Sequence, residues 1–198
     1  TGNDNKVVIS GYSTVNFSVT SAATSAYGAT FTGSSSGYVY NWGNTTVAKT
    51  KTTTASASGQ STNVLKVTAY DDRSLSTISS RTLTNGVDYV NYAPPTSITA
   101  KTHRANGIDA ATTITITGKL GYVGKFGTNG VTNTIASIEY QTKEASSSTW
   151  SSKHPLTGVT VDTTTGNFSL TNAQIHQNGE SGGFPVGTKY NVLITIKD

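Results

Sequence analysis

The chain has 198 residues, of which 37 are Thr and 24 are Ser, so about 31% of positions carry a small hydroxyl side chain, against 12% charged residues and no Cys or Met. That composition excludes a helical bundle, a coiled coil, a disulfide framework, a cysteine-ligated metal site and a charge-rich disordered tail, and leaves an extended all-β chain. The net charge of +4 divides as +2 up to Ala93 and +2 beyond it, without the basic run or stripe that follows a nucleic-acid backbone, so no nucleic-acid partner is expected.

In chain order, the first clear strand places Val15, Phe17 and Val19 on one face and Asn16 and Ser18 on the other. Tyr38, Tyr40 and Trp42 form an aromatic stripe on the next. Leu65, Val67 and Ala69 alternate with Lys66, Thr68 and Tyr70 on a third. Gly, Ser, Asn and Asp fill the turns, most plainly at Gly33 to Gly37 and Asp71 to Ser74. In Tyr89 to Pro95, YVNYAPP, two successive prolines cannot donate to a ladder, so pairing is expected to end there. The predicted modules are therefore 1–93 and 94–198, joined by a short stiff segment.

The second module begins at Ile98 and alternates at Ile114 and Ile116, with Thr113, Thr115 and Thr117 toward solvent. Glycines at 118, 121, 124, 127 and 130 recur every third residue without proline, which reads as a flexible loop rather than a collagen repeat. Ile138 and Tyr140 mark a further strand, and Trp150 follows a polar loop. Thr171 to His176 is the only helical hint, of about one turn. Tyr190, Val192, Ile194 and Ile196 make the cleanest strand. No apolar run approaches the roughly 18–20 residues of a membrane helix, so no membrane partner is expected. A chain that opens on Thr1 and lacks Met reads as a piece of something longer.

The second module, from Pro94 onward, resembles a fibronectin type III domain. FPVGTKYNVLITI, Phe184 to Ile196, is similar to that family's approach to its sixth strand. The resemblance places Tyr190 at a tyrosine corner, with its hydroxyl bonded to nearby backbone. The first module resembles the immunoglobulin-like repeats of minor structural and tail-tip proteins of long-tailed phages of Gram-positive bacteria. Three stretches carry that resemblance: Gly11 to Phe31, Val67 to Thr77 with Asp71-Asp72-Arg73, and the junction Tyr89 to Gly107 with Tyr92, Pro94, Pro95, Arg104, Asn106 and Gly107. Ser74 stands where the family usually has Gly. The implied fold is all-β, two tandem antiparallel β-sandwiches, immunoglobulin-like and then fibronectin type III-like. The implied role is that of structural or spacer modules in a virion tail, tail-tip, baseplate or host-adhesion protein. It carries with it an extracellular, virion location, other tail proteins as partners, and an oligomeric full-length assembly. A sandwich of this type also needs a strand beyond Tyr190 to Lys197, so the second module is expected to lack its last strand.

Tests for chemistry yield no catalytic, metal-binding or cofactor-binding residue. Asp71 and Asp72 are adjacent and point to opposite faces of an extended chain, a poor pair for one glycosidic bond; a turn explains them better. His103, His154 and His176 lack zinc-site spacing, and neither a nucleophile elbow nor a phosphate loop is present. No enzymatic activity is expected. The competing role is a carbohydrate-binding adhesin module recognising a bacterial cell-wall polysaccharide. Exposed rings with neighbouring amides suit pyranose binding, and Tyr38, Tyr40, Asn41, Trp42 and Asn44 are the candidate glycan or partner contacts. The contrary reading makes the aromatic stripe core-facing, as a Trp on a middle strand usually is. That would leave the loops Thr24 to Gly28, Ser34 to Gly37 and Gly118 to Gly130 as adaptable contact surfaces.

Overall fold

The structure, a computed structural model, describes residues 7–24, 28–105, 110–179 and 182–198. All regular elements among them are strands, in several sheets consistent with β-sandwich architecture. The chain divides into two compact units: Thr1–Tyr92 with Lys125–Val131, and Ala93–Gly124 with Thr132–Asp198.

In the first unit, β1 (Val8–Ile9) pairs in parallel with β8 (Tyr89–Val90). β2 (Thr14–Ser18) pairs with β5 (Thr54–Ser58). A four-stranded antiparallel sheet has the order β4 (Thr45–Thr50), β3 (Gly37–Trp42), β6 (Val64–Tyr70), β7 (Ser76–Thr82). Alternation positions the core: Val15 and Phe17 from β2, Ala57 from β5, and Tyr38, Tyr40 and Trp42 from β3 are buried together. Leu65, Val67 and Ala69 of β6 pack against them.

The second unit has one sheet in the order β13 (Thr160–Val161), β14 (Asn167–Ile175), β10 (Thr112–Lys119), β9 (Thr96–Arg104). The other runs β12 (His154–Leu156), β11 (Ser137–Glu144), β15 (Tyr190–Lys197). Ile114 and Ile116 of β10, Phe168 and Leu170 of β14, and Ile138 and Tyr140 of β11 share one core between these sheets.

Three sequence expectations change. Thr171 to His176 is not a helical turn, because β14 runs through most of it to Ile175. Its departure from alternation is a bulge opposite Ile114 and Ile116, with Asn172 at φ 51°. The glycine-rich segment is not a free loop: Gly118 lies within β10, and Leu120 and Phe126 are buried. A side chain at Gly130 would collide with the Phe126 carbonyl, so that glycine permits a close backbone approach. Finally, the Tyr190 hydroxyl does not reach backbone. It accepts from Gln177 Nε2 at 2.6 Å and donates to Glu144 Oε1 at 3.2 Å. Of the junction residues, Asn106 and Gly107 lie outside the described residues, as do Ser25, Ala26 and Tyr27 of the loop from Thr24.

Ile116 is fully buried at the centre of the second core. Ile116→Ala is expected to destabilise that unit by about 2–5 kcal/mol, through lost transfer energy and an incompletely collapsed cavity. Urea denaturation followed by circular dichroism measures the change.

Candidate functional site

The predicted contact residues fall in three different places. Tyr38, Tyr40 and Trp42 are 2%, 0% and 0% exposed, so they form the core-facing stripe and offer no ring to a sugar. Period-two geometry makes this necessary: the three share one face of β3, and that face meets Phe17 of β2, whose ring lies 5.5 Å from Tyr40. Each buried polar tip has a partner. Tyr38 Oη accepts from Ala23 N at 3.0 Å, Tyr40 Oη donates to Thr52 O at 2.7 Å, and Trp42 Nε1 donates to Thr62 O at 2.6 Å. Burial, with Tyr38 alongside, raises the Tyr40 phenol above its ordinary pKa. Asn41 points to the opposite face, where its Nδ2 donates to Thr46 Oγ1 at 2.7 Å, and it lines a shallow groove of about 540 Å³ with Lys66, Thr68 and Ile78. Asn44 is exposed in the turn between β3 and β4.

Asp71 and Asp72 are both committed to loop structure. Asp71 Oδ1 accepts from the amides of Arg73 at 3.0 Å and Leu75 at 2.9 Å, closing the turn between β6 and β7. Ser74 adopts φ 63° there, a left-handed conformation that glycine adopts without the steric cost a side chain brings. Asp72 ties that turn to the β2–β3 connection. Its Oδ1 accepts from Thr30 N at 3.0 Å and its Oδ2 from Thr30 Oγ1 at 2.7 Å, while its amide donates to Thr30 O at 3.0 Å. A Cβ on Gly33 would stand 2.6 Å from Asp72 Cβ, so the loop closes directly on this side chain. Lys51 holds the same loop by donating to Phe31 O, Gly33 O and Ser36 Oγ. The segment Ser34 to Gly37, expected as an adaptable surface, is therefore anchored, with Ser36 itself buried.

The outer face of the four-stranded sheet in the second unit carries a feature that sequence reasoning missed. Thr160 of β13 pairs with Ser169 of β14, Ser169 with Thr117 of β10, and Thr117 with Thr99 of β9. Four hydroxyls thus cross the whole sheet in one row. Thr99 and Thr117 are hydrogen-bonded at 2.7 Å, and Thr160 and Ser169 at 3.0 Å. Beside the row, Lys119 and Asn167 pair across strands, and a groove of about 550 Å³ spans both rows. Asp162 borders it, with Oδ2 accepting from Thr165 Oγ1 and Oδ1 from the amides of Thr164 and Thr165, which lowers its pKa below the ordinary carboxylate value. Hydroxyls at the roughly 4.8 Å strand spacing, flanked by an amide and an ammonium, can bind a hydroxylated or anionic polymer. Alternation at Thr113 to Thr117 was visible in sequence; the other members of the row lie on three distant strands. Among the described residues no group of three or more His, Asp or Glu side chains could hold a metal ion.

The Thr30 hydroxyl, and then the Thr30 amide, lower the Asp72 pKa from its ordinary 3.8. A carboxylate stabilised in the folded state contributes stability that is present above the unfolded pKa and lost as pH falls below it. Asp72→Asn is expected to be less stable than the parent near neutral pH, with the difference beginning to shrink near 3.8 and lost only at still lower pH, through the lowered folded-state pKa. Denaturant titrations across that range check this; a difference that persists in acid excludes the ionised carboxylate as its source.

No protein-family model matches the chain, and neither a curated protein nor a solved structure matches it.

Proposed function

We propose that the chain supplies structural, spacer modules, immunoglobulin-like and then fibronectin type III-like, to a phage tail or tail-tip protein that positions or contributes to host-cell attachment. The observation that carries this reading is strand order. In the first unit β2 and β5 share a core with β3, β4 and β6 of the sheet β4-β3-β6-β7, whose exposed edge is β7, an order that supports a B-E against C′-C-F-G assignment as in immunoglobulin-type sandwiches. In the second, β13-β14-β10-β9 and β12-β11-β15 follow as D-E-B-A against C′-C-F, with nothing described outside β15. Loop ends tied by Asp72 and Lys51, and apolar cores that need no disulfide, suit modules that hold distal parts at fixed reach. An antibody raised against the chain is expected to decorate the tails of virions from its source in immunogold electron microscopy. Particles that contain the protein but are labelled elsewhere, or purified particles that lack it, overturn the proposal.

The hydroxyl row favours a second reading, a module binding a bacterial cell-wall polysaccharide. It would use the outer sheet face of the second unit, not the buried aromatic stripe. On this reading the chain co-sediments with host walls, Thr117→Val weakens retention severalfold, and emission from buried Trp42 does not change on binding. Equal retention of parent and variant removes the row from consideration.

A further inference from the structure

β15 is an edge strand of an unusual kind. It pairs with β11 over all eight residues, Tyr190 to Lys197, without a register shift. Among the described residues no strand pairs with its other side. Five of the eight are apolar or aromatic, none is Gly or Pro, and the single charge is Lys197 at the end. Long, flat, apolar edges attract another chain, and proteins normally blunt them. The other long edges are blunted. β4 carries a register irregularity and Lys49, β9 carries an irregularity and Lys101, and β7 is mostly Ser and Thr with Arg81 held 3.6 Å from Asp88. β12 has three residues including Pro155.

Burial shows the same incompleteness. On β11, flanked by strands on both sides, Ile138, Tyr140 and Thr142 are at most 2% exposed. Their partners on β15, Ile196, Ile194 and Val192, point into the same core yet remain only half-buried. On the outer face Leu193 is 43% exposed. The ladder phase follows from Ala145 N donating to Lys189 O at 2.8 Å. Alternating from that bond, Asn191, Leu193 and Thr195 exchange hydrogen bonds with β11, while Val192, Ile194 and Ile196 direct their N–H and C=O groups to the open side.

We propose that this edge binds a second copy of the chain, β15 against β15, antiparallel and centred on Leu193. The strand is self-complementary in that register. A two-fold axis at Leu193 sets Val192 opposite the second copy's Ile194 in hydrogen-bonded pairs, and Tyr190 opposite its Ile196. Leu193 meets its own symmetry mate in a non-hydrogen-bonded pair, where side chains approach most closely. The two three-stranded sheets become one six-stranded sheet through an isologous interface, the two half-covered inner faces complete each other, and the exposed Leu193 is covered. The inference does not depend on the virion reading.

The 198-residue chain is expected to sediment as a dimer at micromolar concentration. Leu193→Lys, a change on the exposed face, places like charges opposite each other and weakens the dimer roughly tenfold or more, with an unchanged circular dichroism spectrum. The chain has no cysteine, so Leu193→Cys should oxidise to a disulfide-linked dimer, whereas Asn191→Cys, far from its symmetry mate in this register, should not. A chain that stays monomeric at every concentration overturns the proposal. So does a dimer indifferent to Leu193→Lys, or one that cross-links equally through position 191.

Discussion

The first unit depends on three buried rings of β3, Tyr38, Tyr40 and Trp42, whose polar tips are all satisfied. β3 delivers three such rings into one core, and each must find a backbone partner because an unpaired donor in a dry interior costs about 1–3 kcal/mol. The partners come from three separate connections, at Ala23, Thr52 and Thr62. Packing and hydrogen bonding therefore act together: the apolar bodies draw β2, β3 and β6 into contact, and the polar tips fix where the intervening chain must run. The segment after β2 is then held again from outside, by Asp72 and Lys51. Rings that could have served a ligand are consumed by architecture.

The second unit solves the same problem with smaller means. Tyr140 Oη accepts from His176 N at 3.1 Å, and the Thr142 hydroxyl donates to Gln177 O, so one face of β11 pins the segment after β14. Tyr190, one strand further out, meets side chains instead, Gln177 and Glu144. The difference follows position in the sheet. A central strand is covered on both sides and must use buried backbone partners, whereas a strand at the margin keeps enough solvent access to use flexible ones.

The abundance of hydroxyl side chains has two physical consequences here. On β7 it makes an edge that is fully exposed and poorly suited to pairing with another chain. On the outer face of the second unit it makes a lattice whose members bond one another across strands. The same residue types thus serve solubility in one place and create an ordered polar surface in another; register alone separates the two. β15 departs from both uses, being apolar where other margins are polar, with no strand paired to its outer side among the described residues.

Much of the fold was legible in sequence. Alternation at Val15–Phe17, Tyr38–Trp42, Leu65–Ala69, Ile114–Ile116, Ile138–Tyr140 and Tyr190–Ile196 marks strands that the structure contains, because one buried face imposes period two directly on residue type. β4, β5 and β13 were not legible. Their inward positions hold little more than Val47, Ala55, Ala57 and Val161, too slight a contrast against Ser and Thr. The bulge at Asn172 broke the pattern of β14 and imitated a helical turn. The candidate site was legible only in part. Sequence establishes that Tyr38, Tyr40 and Trp42 share a face, but not whether that face meets solvent or a second sheet, since periodicity carries no sign. The hydroxyl row was beyond reach because Thr99, Thr117, Thr160 and Ser169 become neighbours only through antiparallel register, which brings together residues as far apart in sequence as Thr117 and Ser169. By itself the sequence determined an all-β chain, its principal strands and the alternating residues of its cores; the tertiary structure alone decided which faces are buried, which hydroxyls align and which edge has no paired strand among the described residues, because those depend on pairing between distant segments.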